Sequence, residues 1–320
     1  MTNQEILALT ERVIIPSYSR YPVAIVRGRG HTVWDADGNE YLDFASAFGT
    51  SNVGHCHPRV VEAIARQAEK LLHVSNLYHI EEQARLAAML VERSFAEQVF
   101  FCTSGAEANE AAIKLARKVS HDRFGPGRST IICMEGAFHG RTLATLSATG
   151  MDALKVGFAP LVPGFTFVPF NDMGAVEAAI DETTCAVLVE PIQGVGGVIV
   201  PEAEYLRDLK ALCEARDLLL IFDEVQTGIG RTGHLFAYEA FGAVPHIMTL
   251  SKALGGGLPI GAMLTTQELA AHFGPGTHAS TFGGNSLACA AAIAVLEVIE
   301  ADQLLQNTRK VGAYFEEALR

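Results

Sequence analysis

The stretch DLLLIFDEVQTG, Asp217–Gly228, holds the most apolar run of the chain and closes it on a carboxylate, Asp223. A second run, HIMTLSKALGGG at 246–257, closes on an amine, Lys252, followed by glycines. Each reads as a short buried strand with a titratable group at its carboxyl end. The pattern continues outward in both directions. QVFFCTS leads into helical AEANEAAIKLARKV; STIICMEG, TFVPF and helical GAVEAAIDE follow, then CAVLVEPI, helical EYLRDLKALCEAR and finally IGAMLTT. Continuous apolar strands alternating with amphipathic helices predict an α/β fold with a mostly parallel sheet covered by helices on both faces. Ligands in such sheets bind beyond the carboxyl ends of the strands, where these polar residues fall.

Composition narrows the function. The 320 residues are 49% hydrophobic and 19% charged, with mean hydropathy +0.22, as expected of a chain with a large buried core. Net charge is −12 and no Lys/Arg-rich run occurs, which argues against a nucleic-acid footprint. The six cysteines, Cys56, Cys102, Cys133, Cys185, Cys213 and Cys289, form no C-x-x-C pair, so zinc-ribbon and dithiol readings fail. A reducing compartment is expected. The N-terminal MTNQEILALTERVIIPSYSRYP lacks a basic region followed by an apolar one, and no apolar stretch reaches membrane-spanning length, so a cytoplasmic location is expected.

Before the alternating region, PVAIVRGRGHTVWDADGNEYLDF carries the turn Asp37-Gly38 and predicts a small antiparallel unit. The expected domains are 1–45 for this N-terminal unit, 46–290 for the large domain, and 291–320 for the start of a C-terminal small domain. Helical sequence runs to Arg320 without a capping signal, and a continuation beyond it is expected. His55-Cys56-His57 has no further ligand at metal spacing and reads as a structural loop.

Several short motifs carry chemistry. Thr103, Ser104, Gly105 and Ala106 stand where a strand turns into a helix, either an ordinary capped turn or a place where backbone N–H groups meet a phosphate. GAFHGRTLAT places Phe138, His139 and Arg141 in one glycine-flanked loop, an aromatic ring for stacking and a guanidinium for a carboxylate, or a solvated surface charge. Asp223 is compatible with a helix cap, a magnesium ligand or a partner for a ring nitrogen, with Gln226 in reach of the same ligand. Lys252 among small residues reads as buried, which lowers its pKa and makes it a nucleophile. Glu190 ends another strand, and Ser280 and Thr281 precede a glycine pair and a helix start. A Lys that can condense with an aldehyde, beside an Asp that can keep a pyridine nitrogen protonated, is what pyridoxal phosphate requires. No G-x-x-x-x-G-K-[ST] run supports a nucleotide-binding alternative.

In that order, FFCTSGAEANEAAIKLARK, FHGRTLATLSATG, EPIQG, LLIFDEVQTGIGRTG, LSKALGGGLPIGAM and HASTFGGNSLACAAA resemble the class III (subgroup II) pyridoxal-phosphate aminotransferases of fold type I. The resemblance runs from about Tyr18 to Arg320 and is strongest to the acetylornithine branch. It implies a large domain of mostly parallel sheet and a small α+β domain, truncated here at the C-terminus. It implies that Gly105 and Ala106 hold the cofactor phosphate, Phe138 stacks on the ring, Asp223 pairs with the ring nitrogen and Gln226 meets the phenolic oxygen. Lys252 carries the cofactor, with Ser104, Glu224 and Val225 in the same binding set. Arg141 binds the substrate carboxylate, and Tyr18 lines the substrate pocket. Ser280 and Thr281 act across a homodimer interface, on substrate and phosphate respectively.

The implied activity moves the amino group of N2-acetyl-L-ornithine to 2-oxoglutarate, as in arginine biosynthesis. Related ornithine, 4-aminobutyrate, succinyl-diaminopimelate or β-amino-acid transaminases are the alternatives, as is a truncated dimer that binds the cofactor without turnover. One residue departs from the family pattern: relatives read EPIQGEGG, and this chain has Val195 at the second acidic position. An apolar side chain cannot act there as a charge switch between two substrates.

Overall fold

The computed structural model describes all 320 residues. The N-terminal unit consists of the helix Asn3–Val13 and an antiparallel sheet of β1 (Ile25–Arg29), β2 (Thr32–Asp35) and β3 (Glu40–Leu42). Thr2 and Glu5 close a capping box at the helix start. The Asp35 carboxylate organises the expected turn, accepting hydrogen bonds from the Asp37 and Asn39 backbone N–H groups, the Asn39 side chain and the Tyr41 hydroxyl at 2.8–3.0 Å. His55 pairs with Gly30 through its backbone and with Asp43 Oδ2 through Nε2 at 2.6 Å, tying this unit to the loop that follows.

Between residues 46 and 97, ahead of the alternating strands, lie two main helices, Pro58–Lys70 and Glu81–Glu92. The large sheet is built from β4 (Gln98–Cys102), β5 (Thr130–Met134), β6 (Phe165–Val168), β7 (Thr184–Val189), β8 (Leu219–Asp223), β9 (Ile247–Leu250) and β10 (Gly261–Thr265), in the order β4-β10-β9-β8-β7-β5-β6. Five of these strands pair in parallel, while β10 runs against both its neighbours, β4 and β9. A parallel strand needs a crossover helix, and segment 251–260 contains only the short turn Lys252–Gly255, so the chain must come back antiparallel.

Alternate residues of the central strands feed two cores. Ile132, Val187, Leu220, Phe222 and Met248 point to one face, packed by the helices Tyr205–Ala215 and Ser286–Ala301. Ile131, Ala186, Leu188, Ile221 and Ile247 point to the other, packed by Ala112, Leu115 and Val119 of the helix Gly105–Phe124. Burial on both faces explains why β7 and β8 read as unbroken apolar runs. The expected division at 290/291 falls inside Ser286–Ala301, whose Val295 and Val298 are core residues; the step from buried to exposed chain comes after Ala301, and Leu304–Leu319 buries no residue. No helix is long and apolar enough to cross a membrane.

Glu224, next to Asp223, turns into the protein. Its carboxylate accepts from the N–H groups of Ala237 (2.6 Å) and Tyr238 (2.8 Å), anchoring the helix Ala237–Phe241 to the end of β8. Burial raises its carboxyl from 4.5 to about 7, against the lowering effect of those hydrogen bonds. Between these two pH values the folded chain keeps a proton that the unfolded chain has released, so this group's contribution to stability is lost as pH rises through the window. The loss amounts to about 3 kcal/mol. Urea unfolding at a series of pH values is expected to show this downward slope in the difference between wild type and Glu224→Gln, a comparison that cancels the opposite slope of His246, whose pKa burial lowers to about 4.

Gly261 opens β10 directly behind the start of the helix Gly105–Phe124. A Cβ there would lie 2.3 Å from the Ser104 carbonyl oxygen. Gly261→Ala is therefore expected to lower stability by about 1–3 kcal/mol, read from the urea midpoint, because strand or helix start must move.

Candidate active site

A cavity of about 270 Å³ lies beyond the carboxyl ends of the parallel strands, among Gly105, Ala106, Phe138, Asp223, Gln226 and Lys252. At one end sits the N-terminus of the helix Gly105–Phe124. Ser104 caps it, its Oγ accepting from the Glu107 N–H at 3.2 Å, while Glu107 accepts from the Thr103 backbone and hydroxyl. The N–H groups of Gly105 and Ala106 find no acceptor within the chain. They open toward the cavity at the positive end of the helix dipole, where an anion is stabilised. Backbone approach here is close: a Cβ on Gly105 would stand 2.7 Å from Val225 Cγ1, and one on Gly140 would stand 2.5 Å from Thr145 Oγ1.

Asp223 forms the floor, 3% exposed. Its Oδ2 accepts from Asn109 Nδ2 at 2.7 Å and faces His139 Nδ1 at 2.8 Å; its Oδ1 accepts from the Val225 N–H at 3.0 Å. The carboxylate can only accept, so the His139 proton on that side belongs to Nδ1. His139 Nε2 is buried without a partner.

Lys252 follows β9 in a left-handed backbone conformation, φ 39°, and its Nζ donates to Gln226 Oε1. Burial lowers its pKa; Asp223 and Glu190 oppose that shift and Arg231 adds to it. Glu190 is itself buried, with its carboxyl raised by desolvation; it accepts from the N–H groups of Phe138 (2.8 Å) and Gly194 (3.1 Å). It therefore holds the Phe138 loop in place. The Arg141 guanidinium carbon lies 5.5 Å from the Phe138 ring centroid, at the solvent side. Val195 lines the same cavity and is 56% exposed.

Eight residues of the cofactor and substrate set that the resemblance implies thus share one cavity, Gly105, Ala106, Phe138, Arg141, Asp223, Val225, Gln226 and Lys252, together with His139 and Glu190. Ser104 stands behind it as the helix cap, and Glu224 faces the core. Tyr18 is exposed beside the N-terminal helix, lining a separate apolar cavity. Ser280 and Thr281 line another, beside Glu107 and Glu110. Within a single chain these three are not brought to Lys252. The sequence motifs single out neither Asn109 nor the contact of His139 with Asp223. Asn109 sits one helical turn after Gly105, on the same face, and a lone Asn among alanines at that spacing is the one signal available.

The arrangement suits a phosphorylated aromatic aldehyde: an amine at one point, an anion cup at another, and a buried carboxylate between flat walls. Comparison with known proteins agrees. The sequence is 52% identical over 309 residues to the acetylornithine aminotransferase of Caldanaerobacter subterraneus subsp. tengcongensis, covering 97% of this chain and 78% of that one. It is 50% identical to the acetylornithine aminotransferase of Neisseria meningitidis serogroup A, with the same coverage. The crystal structure of ornithine aminotransferase from Toxoplasma gondii ME49 superposes with a TM-score of 0.97 at 37% identity, over 100% of this chain and 77% of that one. The aminotransferase class-III profile matches residues 14–320, and the chain belongs to that family.

Proposed function

We propose that this aminotransferase transfers the amino group of N2-acetyl-L-ornithine to 2-oxoglutarate, giving N-acetylglutamate 5-semialdehyde and glutamate, with pyridoxal 5'-phosphate as cofactor in a homodimer. The observation that carries the reading is the convergence of Lys252, Asp223 and the free N–H groups of Gly105 and Ala106 on one cavity. The residues present fit the cofactor. Gly105 and Ala106 would hold its phosphate, Asp223 would accept from its ring nitrogen, and Phe138 and Val225 would flank the ring, with Gln226 at the phenolic oxygen.

When bound, the cofactor supplies an aldehyde that condenses with amines and a ring that accepts the electron pair left on carbon. The protein's own work is placement and proton transfer. Lys252 Nζ, its positive charge disfavoured by burial, is placed to take the proton from the carbon that bears the substrate amine and would deliver it to the carbon that carried the cofactor's aldehyde. Asp223 remains an acceptor throughout, its Oδ2 held by Asn109 and His139. Arg141 offers a bidentate fork for a substrate carboxylate at the cavity mouth. Val195, which lines the same cavity, has no charge to exchange between the two half-reactions.

A second copy of the chain is supported by the apolar surface around Ser280 and Thr281, where Leu77, Tyr78 and Phe282 are 87%, 69% and 58% exposed. In that reading Ser280, Thr281 and Tyr18 serve substrate and phosphate in the assembled dimer, and the reaction belongs to cytoplasmic arginine biosynthesis.

Borohydride reduction followed by peptide mass spectrometry is expected to place the cofactor on Lys252, and Lys252→Ala is expected to carry no adduct and no transaminase activity. A reduced adduct on another lysine would overturn the assignment. Among N-acetylornithine, ornithine, 4-aminobutyrate and β-alanine, N-acetylornithine is expected to give the highest kcat/KM with 2-oxoglutarate. A clear preference for one of the others would move the donor assignment and leave the cofactor assignment intact.

A further inference from the structure

Asn109 is 1% exposed and makes three hydrogen bonds that join three separate parts of the site. Its Nδ2 donates to Asp223 Oδ2 at 2.7 Å and to the His139 carbonyl at 2.9 Å; its Oδ1 accepts from Thr249 Oγ1 at 2.7 Å. The orientation of the amide follows from these partners. Turned over, its oxygen would face two acceptors, the carboxylate and the carbonyl, and its NH₂ would lose both bonds.

The three partners sit at three different places. Thr249 lies on β9 opposite Asp223 on β8, and β9 leads straight into Lys252. Asp223 ends β8. Asn109 itself is one turn inside the helix whose first N–H groups form the anion cup. His139 also faces Asp223 Oδ2, so that oxygen has two partners, while Oδ1 holds only the Val225 N–H and keeps acceptor capacity free. We propose that Asn109 is a positioning residue. Its bond to Oδ2 turns Asp223 so that Oδ1 is the oxygen offered to the cofactor, and its bonds to the His139 carbonyl and to Thr249 hold the amide in the orientation that does so. This rests on the functional reading above, in which Asp223 meets a ring nitrogen.

A residue that merely fills and satisfies the core would have the same burial, so the test must separate the two roles. Asn109→Leu keeps the number and branching of the side-chain heavy atoms and removes all three bonds. Asn109→Asp keeps the acceptor for Thr249 and replaces the donor to Asp223 with a second acceptor. Each is made alone and together with Asp223→Asn. The dissociation constant of pyridoxal phosphate from the apo-protein is measured by absorbance titration, the rate of the first half-reaction with N-acetylornithine by stopped flow, and the thermal midpoint of the apo-protein as a check on folding.

Loss of one hydrogen bond to a charged group predicts that either substitution weakens cofactor binding and slows the half-reaction by about ten- to a hundredfold. In the Asp223→Asn background the same substitutions are expected to add less than about threefold, because the group through which Asn109 acts has already lost its charge. Full multiplicative effects in that background would overturn the proposal in favour of a purely structural role. Wild-type affinity and rate in both single variants would overturn it as well. A wild-type protein that binds no pyridoxal phosphate would remove the functional reading itself, whereas a normal Lys252 adduct with unaffected Asn109 variants would remove this inference alone.

Discussion

A carboxylate buried away from water costs several kcal/mol unless its oxygens are hydrogen-bonded, and the structure around Asp223 is arranged to meet that need. Asn109 and His139 serve Oδ2, and the Val225 N–H serves Oδ1. Each partner comes from a different element: a helix, the loop after β5, and the turn after β8 itself. Satisfying one anion therefore pins the three pieces of chain that surround the cavity. The neighbouring Glu224 applies the same logic in the opposite direction, holding the start of the helix Ala237–Phe241 from inside the core.

Two electrostatic environments sit side by side as a result. Lys252 is held where burial weakens its positive charge, with Asp223 and Glu190 near enough to oppose the shift. The helix start offers uncompensated N–H groups within the same cavity. An amine made nucleophilic and a cup made for anions are useful together only if their separation is constant. The tight glycine contacts at Gly105 and Gly140 and the amide of Asn109 keep it so. Reversal of β10 contributes to the same end. It places Gly261 directly behind Ser104 and fills the gap between β4 and β9 that a parallel crossover would otherwise have to span.

Much of this arrangement is legible in the amino-acid sequence. Continuous apolar runs such as TCAVLV and LLIFD announce strands covered on both faces, and a polar group following such a run announces a site residue. Asp223 and Lys252 stand out in this way, while Gly105 and Phe138 stand out by the small-residue turn and the glycine-flanked loop that carry them. The direction of β10 is harder to see, because an apolar run carries no sign of its direction and only the missing crossover helix betrays it. Asn109 escapes notice because helix periodicity explains a small polar residue among alanines as surface or cap, and its partners are distant in sequence. Glu224 shares a motif with Asp223, yet adjacent residues on a strand point to opposite faces, so only one of them can reach the cavity.

Local rules, then, decided the identity of the strands, the capped helix start and the chemical types gathered at the strand ends, because periodicity and capping act within a few residues of one another. Tertiary structure decided which of those groups meet. The bonds of Asp223 to Asn109 and His139 join residues far apart in the chain, and the choice between a carboxylate facing a ligand and one facing the core rests on strand pairing and packing, which no short window of sequence contains.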